Sequence, residues 1–180
     1  MRFIVITVPP EAQRAPLEAF RQTWNRNLGT FEALRYPAHL TLRTGLVCPD
    51  DQAESVAERF LEHARKGQPC SVATDGLFFV TYGEPRRGMA GWRVPLSAGL
   101  ERVHRHLLEF SAWQKGPQAP FEPHVSLAYH DLTPEQLLVL ERQLAGVDVP
   151  SAQWTLDHVA LFREVDGVWV EWARTVLRGA

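Results

Sequence analysis

The chain predicts an α+β fold of two lobes around a central cleft. Three observations lead there. Short β-branched runs alternate with longer segments of helical periodicity. Two strings of one pattern, His39-Leu40-Thr41-Leu42 and His124-Val125-Ser126-Leu127, stand about 85 residues apart, each on a predicted strand between predicted helices. The chain closes on two strand-like runs joined through Asp166-Gly167, a dipeptide that favours tight hairpins. An internal duplication is the expected origin of the recurrence. Residues 1–180 are then one domain of two lobes, each an antiparallel sheet with outer helices, related by a pseudo-twofold so that both strings face a shared cleft.

Phe3 to Val8 is short, apolar and β-branched, as a buried strand is, and Pro9-Pro10 ends it. From Glu11 to Leu28, the residues Leu17, Phe20, Trp24 and Leu28 recur at spacings of three and four, which predicts an amphipathic helix closed by Gly29. A strand from His39 to Val47 follows. Pro49-Asp50-Asp51 opens a second helix with Val56, Phe60, Leu61 and Ala64 on one face, and Lys66-Gly67 closes it. Cys70 to Thr81 and Met89 to Pro95 read as strands, and Ser97 to Trp113 as a helix. His124 to Tyr129 is the second motif strand, and Thr133-Pro134-Glu135 starts a helix that reaches Ala145. Trp154 to Arg163 and Val168 to Val176 form the closing hairpin. The basic stretch Gly83 to Gly88 and the Pro-rich stretch Lys115 to Pro120 read as loops that are candidates to rim the cleft.

With 180 residues, 45% of them apolar, the chain is large enough to bury one core. Its formal net charge is −2, from 19 basic and 21 acidic residues. That balance leaves no global positive field to hold duplex DNA, whereas a small anion or an RNA end needs only a local cluster. Cys48 and Cys70 are too few for a zinc motif or a disulfide framework, which points to a reduced cytoplasmic setting. Pro9-Pro10-Glu11 interrupts the N-terminal apolar run well before the length of a signal core or a membrane span. The expectation is a cytoplasmic monomer without cofactor or metal, with no affinity for membranes.

In an extended strand alternate side chains share a face, so His39 projects with Thr41 and His124 with Ser126. With 7 histidines and 45% apolar residues, random placement gives such a string on the order of 0.1 times per chain. Two are therefore informative. Pro37 stands just ahead of the first string and Pro123 directly before the second, and prolines favour strand openings. Histidine titrates near neutrality, so two converging imidazoles supply a base and an acid for attack on a phosphate ester. The hydroxyls of Thr41 and Ser126 are placed to stabilise charge on non-bridging oxygens.

These strings resemble the paired His-x-[Ser/Thr]-x motifs that define the 2H phosphoesterase superfamily, which includes 2'-5' RNA ligases and RNA 2',3'-cyclic phosphodiesterases. The resemblance covers the N-terminal strand, Pro37 to Leu42, Pro123 to Ala128 and the closing hairpin. It implies the bilobed fold, metal-independent chemistry, and a 2',3'-cyclic or 2'-5'-linked phosphodiester at an RNA end or on a nucleotide. His39, Thr41, His124 and Ser126 match its catalytic positions, and ligation is the reverse of the same cleavage. Many bacterial RNA-acting members carry an arginine in a His-Val-Thr-Leu-x-Arg run, where this chain has Tyr129 and then His130. Alternation puts Arg43 on the face of His39, where it is expected to contact phosphate instead. Tyr129 is expected to hydrogen-bond or stack on a base. Trp92 and Phe162 are further candidates for the cleft. The alternative reading is an RNA- or nucleotide-binding module with little turnover.

Other residues carry plainer expectations. Two histidines without a third ligand at suitable spacing make a poor zinc site. His104-Arg105-His106 reads as a solvated helix face, His63 and His158 have no evident function, and Trp24, Trp154, Trp169 and Trp172 read as core. Arg86-Arg87 reads as a solvated loop that is able to grip neighbouring phosphates if an RNA end binds.

Overall fold

The computed structural model describes residues 1–115 and 120–179. β1 (Arg2–Thr7), α1 (Glu11–Leu28), β2 (Leu40–Val47) and α2 (Ala53–Arg65) come first. β3 (Cys70–Ala73), β4 (Asp75–Tyr82) and β5 (Arg87–Arg93) lead to α3 (Ala98–Glu109), a short β6 (Gln114–Lys115), β7 (His124–Leu132) and α4 (Pro134–Leu144). β8 (Gln153–Leu156), β9 (His158–Val165) and β10 (Val168–Val176) complete the chain. The class is α+β. The Pro-rich loop expected at Lys115 to Pro120 falls largely on 116–119, outside the described residues.

The main sheet is antiparallel, in the order β10-β9-β1-β2-β7-β5-β4 with β6 added to β2, and β3 pairs with β8 in a small second sheet. Apart from β10 at one edge, the order is symmetric about the seam between β2 and β7. The succession β1-α1-β2-α2 in one half recurs as β5-α3-β7-α4 in the other, apart from the short β6, and β9 and β4 occupy equivalent places outside β1 and β5. The two motif strands are innermost and touch through one pair, Leu40 with Val125, both fully buried. Two antiparallel halves thus meet at a narrow seam. One apolar cluster drawn from both, including Phe3, Leu17, Phe60, Trp113, Val125 and Leu140, lies behind it.

Each motif strand carries an extra residue at the same place. Ile6 pairs with Thr41 and Val5 with Arg43, which skips Leu42; Gly91 pairs with Ser126 and Ala90 with Ala128, which skips Leu127. The skipped residue is the fourth of its motif in both halves. Such a bulge breaks strict alternation, and the consecutive residues Leu42-Arg43 and Leu127-Ala128 are all buried. This corrects the expectation for Arg43. Its guanidinium points away from the cleft and donates to the carbonyls of Leu107 (2.6 Å) and Phe110 (3.2 Å). Those carbonyls lie at the end of α3, where intrahelical partners run out, so Arg43 caps the helix. The helix ends at Glu109 rather than near Trp113, and Phe110 and Trp113 turn into the core beside Phe60.

Two expected strands are divided. Cys70 to Thr81 breaks at Thr74 into β3 and β4, and Trp154 to Arg163 breaks at Asp157 into β8 and β9. Buried Thr74 receives the Ala152 N–H on its Oγ1 (2.8 Å) and donates its own N–H to the Ala152 carbonyl (2.9 Å). This lock diverts β3 and β8 into their own sheet. Periodicity cannot reveal it, because both parts of each run are apolar and only the partner differs. The histidines of α3 are not a solvated face either. His106 stacks on His63 of α2 at 4.2 Å, and each ring Nε2–H donates to the other's backbone carbonyl, at 2.7 and 2.8 Å. His104 donates from Nδ1 to the Leu42 carbonyl (2.8 Å) and lies flat on Phe121. No helix of the described residues is long and apolar enough to cross a membrane.

Candidate active site

The seam pair sets the geometry of the motifs. With Leu40 paired to Val125, the antiparallel register sets His39 on the side of Ser126 and Thr41 on the side of His124. All four side chains line one cleft of about 660 Å³. Each histidine donates its Nδ1–H to the carbonyl two residues upstream, His39 to Pro37 and His124 to Glu122, both at 2.8 Å. A carbonyl only accepts, so Nε2 is the nitrogen left for substrate in both rings.

The segment that delivers His39 is held from both halves. Arg21 of α1, 1% exposed, donates to the carbonyls of Ala33 and Tyr36 and pairs with Glu18 at 3.0 Å. Glu18 in turn accepts the Ala38 N–H. From the second half, Asp131 accepts the N–H groups of Phe31 and Glu32, and Gln136 donates to the Leu28 carbonyl (3.0 Å). Buried Asn25 donates to the Leu127 carbonyl (2.7 Å), tying α1 to the second motif. Burial, reinforced by the positive charge of Arg21, pushes the His39 imidazole down to about 4, against a smaller opposing effect of its bond to Pro37. His39 is therefore neutral at pH 7.

Tyr129 and Phe162 line the cleft. The bulge turns Tyr129 inward, because it stands five residues after His124, and Thr44 stands likewise five after His39. Burial is the main cause that raises the Tyr129 phenol to about 12, so it stays protonated and is a hydrogen-bond donor. Trp92 does not line the cleft. It pairs across the sheet with buried Val125, is 1% exposed, and donates its indole N–H to the Pro150 carbonyl at 2.8 Å. The face of β5 toward His124 and Ser126 belongs to Met89, Gly91 and Arg93 instead.

Sequence reasoning missed Arg21, Tyr36 and Met89 and assigned Trp169 to the core, yet all four line the cleft. Arg21 had a legible signal: it follows Leu17 by four positions on the buried face of α1, where an arginine is out of place. Tyr36 meets His39 edge-on at 6.5 Å, and its hydroxyl accepts the Trp169 N–H at 3.2 Å. No local pattern marks either. His130 also borders the cleft, in the left-handed region at φ 70°. Arg87 donates to its carbonyl (3.1 Å), and the Tyr82 hydroxyl shares a hydrogen bond with its Nδ1 (3.1 Å). The arginines around the cleft are paired with carboxylates: Arg2 with Glu164 at 2.7 Å, Arg35 with Glu32 at 3.1 Å, and Arg21 with Glu18.

Solved structures share the fold at low identity. Residues 8–168 match the family model described as the 2'-5' RNA ligase superfamily. TT0787 of Thermus thermophilus superposes with a TM-score of 0.57 at 18% identity, covering 99% of both chains. Escherichia coli LigT complexed with 3'-AMP does so with a TM-score of 0.57 at 15% identity, over 98% of this chain and 97% of that one. Kluyveromyces marxianus Usb1 gives 0.54 at 13% identity, over 94% and 96%. No curated protein matches the chain at a significant level. With the family model spanning nearly the whole chain and two His-x-hydroxyl motifs abutting in one cleft, the protein belongs to the 2'-5' RNA ligase superfamily, whose chemistry is of the 2H phosphoesterase type.

Proposed function

We propose that the protein opens 2',3'-cyclic phosphates on RNA ends or nucleotides, and 2'-5' phosphodiesters by the same chemistry, with His39 as base and His124 as acid. The observation that carries this reading is the seam register, which sets each histidine on the side of the other motif's hydroxyl. His39, neutral and with Nε2 free of its Pro37 bond, takes a proton from the attacking water as that oxygen bonds to phosphorus. The bond from phosphorus to one ribose oxygen breaks, and His124 gives that oxygen its proton. Thr41 and Ser126 donate to the non-bridging oxygens as their charge grows. Two imidazoles account for both proton transfers, so the reading requires no metal.

The pairing of the cleft arginines supports a substrate with one phosphodiester in the site rather than a run of phosphates. Incubation with 2',3'-cyclic nucleotides, 2'-5' dinucleotides and cyclic-phosphate-ended RNA in EDTA tests the proposal. Multiple turnovers of a cyclic phosphate to a monoester are expected. Saturable binding with no product over long incubation would instead identify a nucleotide-binding module.

A further inference from the structure

The stacked rings of His63 and His106 lie away from the cleft, where the last turns of α2 and α3 come together. Neither ring lines the cleft. We infer that these two histidines and Glu109 form a binding site for a divalent cation of the zinc type, which clasps the two helices to each other. A nitrogen of each ring and a carboxylate oxygen of Glu109 lie within 4.8 Å of one another, the histidines half-buried and Glu109 exposed. The site is independent of the phosphodiester reading above, which uses no residue of α2 or α3.

The ring tautomers come first. Each Nε2–H is committed to the other residue's backbone carbonyl, at 2.7 and 2.8 Å, so each neutral ring keeps its lone pair on Nδ1. Bonds of this kind fix the ring and tautomer of metal-bound histidines. The group also lacks a donor of its own. Glu109 Oε2 stands 3.6 Å from His106 Nδ1 and pairs with no arginine or lysine among the described residues. A lone pair and a carboxylate repel at that distance unless a cation lies with them, and the His63 ring adds a further electron-pair donor to the group. The helices act in the same sense. His63 is in the last turn of α2, and His106 and Glu109 are in the last turn of α3, so two negative dipole ends favour a cation and disfavour the Glu109 carboxylate standing alone.

Two imidazoles and one carboxylate are the donor set of a zinc-type ion rather than of magnesium or calcium, with a fourth position left to water on the exposed side. Tetrahedral ligands on one zinc stand about 3.4 Å apart. The rings must therefore tilt out of their 15° stack, and exposed Glu109 must swing inward, for all three to meet one ion. The ion then fastens to α2 the helix end whose Leu107 and Phe110 carbonyls hold Arg43 of the first motif strand. Its effect falls on stability rather than on proton transfer. Ligand spacing along the chain shows only His106 and Glu109, because the third ligand comes from another helix 43 residues away.

Calorimetric titration of the untagged, EDTA-treated and dialysed chain with zinc chloride tests the site. One saturable zinc per chain is expected, with a Tm that rises as zinc is added. Glu109→Gln and His106→Gln should each weaken binding by about tenfold or more, whereas His39→Ala, which alters the cleft, should leave it as it was. Glu109 is exposed, so its variant keeps the test valid should the His106 variant fold poorly. Imidazole nitrogen NMR should show zinc shifting Nδ1 of His63 and His106 while their Nε2–H protons persist. Absence of saturable binding at sub-millimolar zinc overturns the site and leaves a proton as the only cation that His106 and Glu109 share. Binding that is lost in His39→Ala, or unchanged in both ligand variants, places the ion elsewhere and overturns it equally.

Discussion

The two motif strands are alike in their first four residues and unlike in everything around them. Both histidines donate Nδ1–H to a carbonyl two residues back, both precede the seam pair, and both motifs end on a bulged leucine. Around His39, however, α1 packs a buried arginine and Tyr36 closes the side, so the ring is desolvated and neutral. His124 instead stands where two cavities join. One local design thus stands in two different surroundings, and surroundings rather than motif set the His39 ring's protonation.

The harshest way to break the comparison is to remove either ring. His39→Ala and His124→Ala should each cut kcat by about 10²–10⁴-fold. Unaltered near-ultraviolet circular dichroism would place that loss in the chemistry, and a variant retaining wild-type turnover would remove its histidine from the mechanism. The hydroxyls come next: Thr41→Val and Ser126→Ala should each lower kcat by about 10²-fold, with KM little changed, if they act on developing charge.

The surroundings are tested by pH. The acidic limb of kcat/KM should fall at about 4, far below an ordinary histidine, because that is where His39 gains its proton. Arg21→Met removes a positive charge and should move this limb upward, though burial, the larger cause, remains. Stability follows the same group. Between an unfolded value near 6.5 and the folded value of about 4, the unfolded chain holds the proton, so lowering the pH through that window favours unfolding. A thermal melting series from pH 7 to 4 reads the slope. The smallest effect on activity belongs to Arg43→Met, which should lower Tm by uncapping α3 and leave KM for a cyclic phosphate as it was. A raised KM would return Arg43 to the site.

Arg43 also shows where reading the chain runs out. Alternation along a strand is a local rule, and it correctly pairs His39 with Thr41 and His124 with Ser126. The rule fails one residue past each motif because a bulge exists only relative to a neighbouring strand, and β1 and β5 lie far from their motifs in the chain. The division at Thr74 has the same cause, since its lock is made with Ala152. Arg21 stood in plain view on an apolar helix face, but its anchoring of residues 33 to 38 follows from a loop conformation that no periodicity encodes.

The sequence by itself determined the α+β class, the duplicated order of elements, the two motif strands and the pairing of each histidine with a hydroxyl. Those properties follow from side-chain periodicity and turn chemistry, which a short stretch of chain carries within itself. Tertiary structure alone decided that the motifs meet at Leu40–Val125, that His39 is neutral while His124 opens onto a second cavity, and that residue 129 rather than residue 43 faces the cleft. Register, desolvation and the shape of a cavity each depend on partners distant in sequence, and a chain acquires them only when it folds.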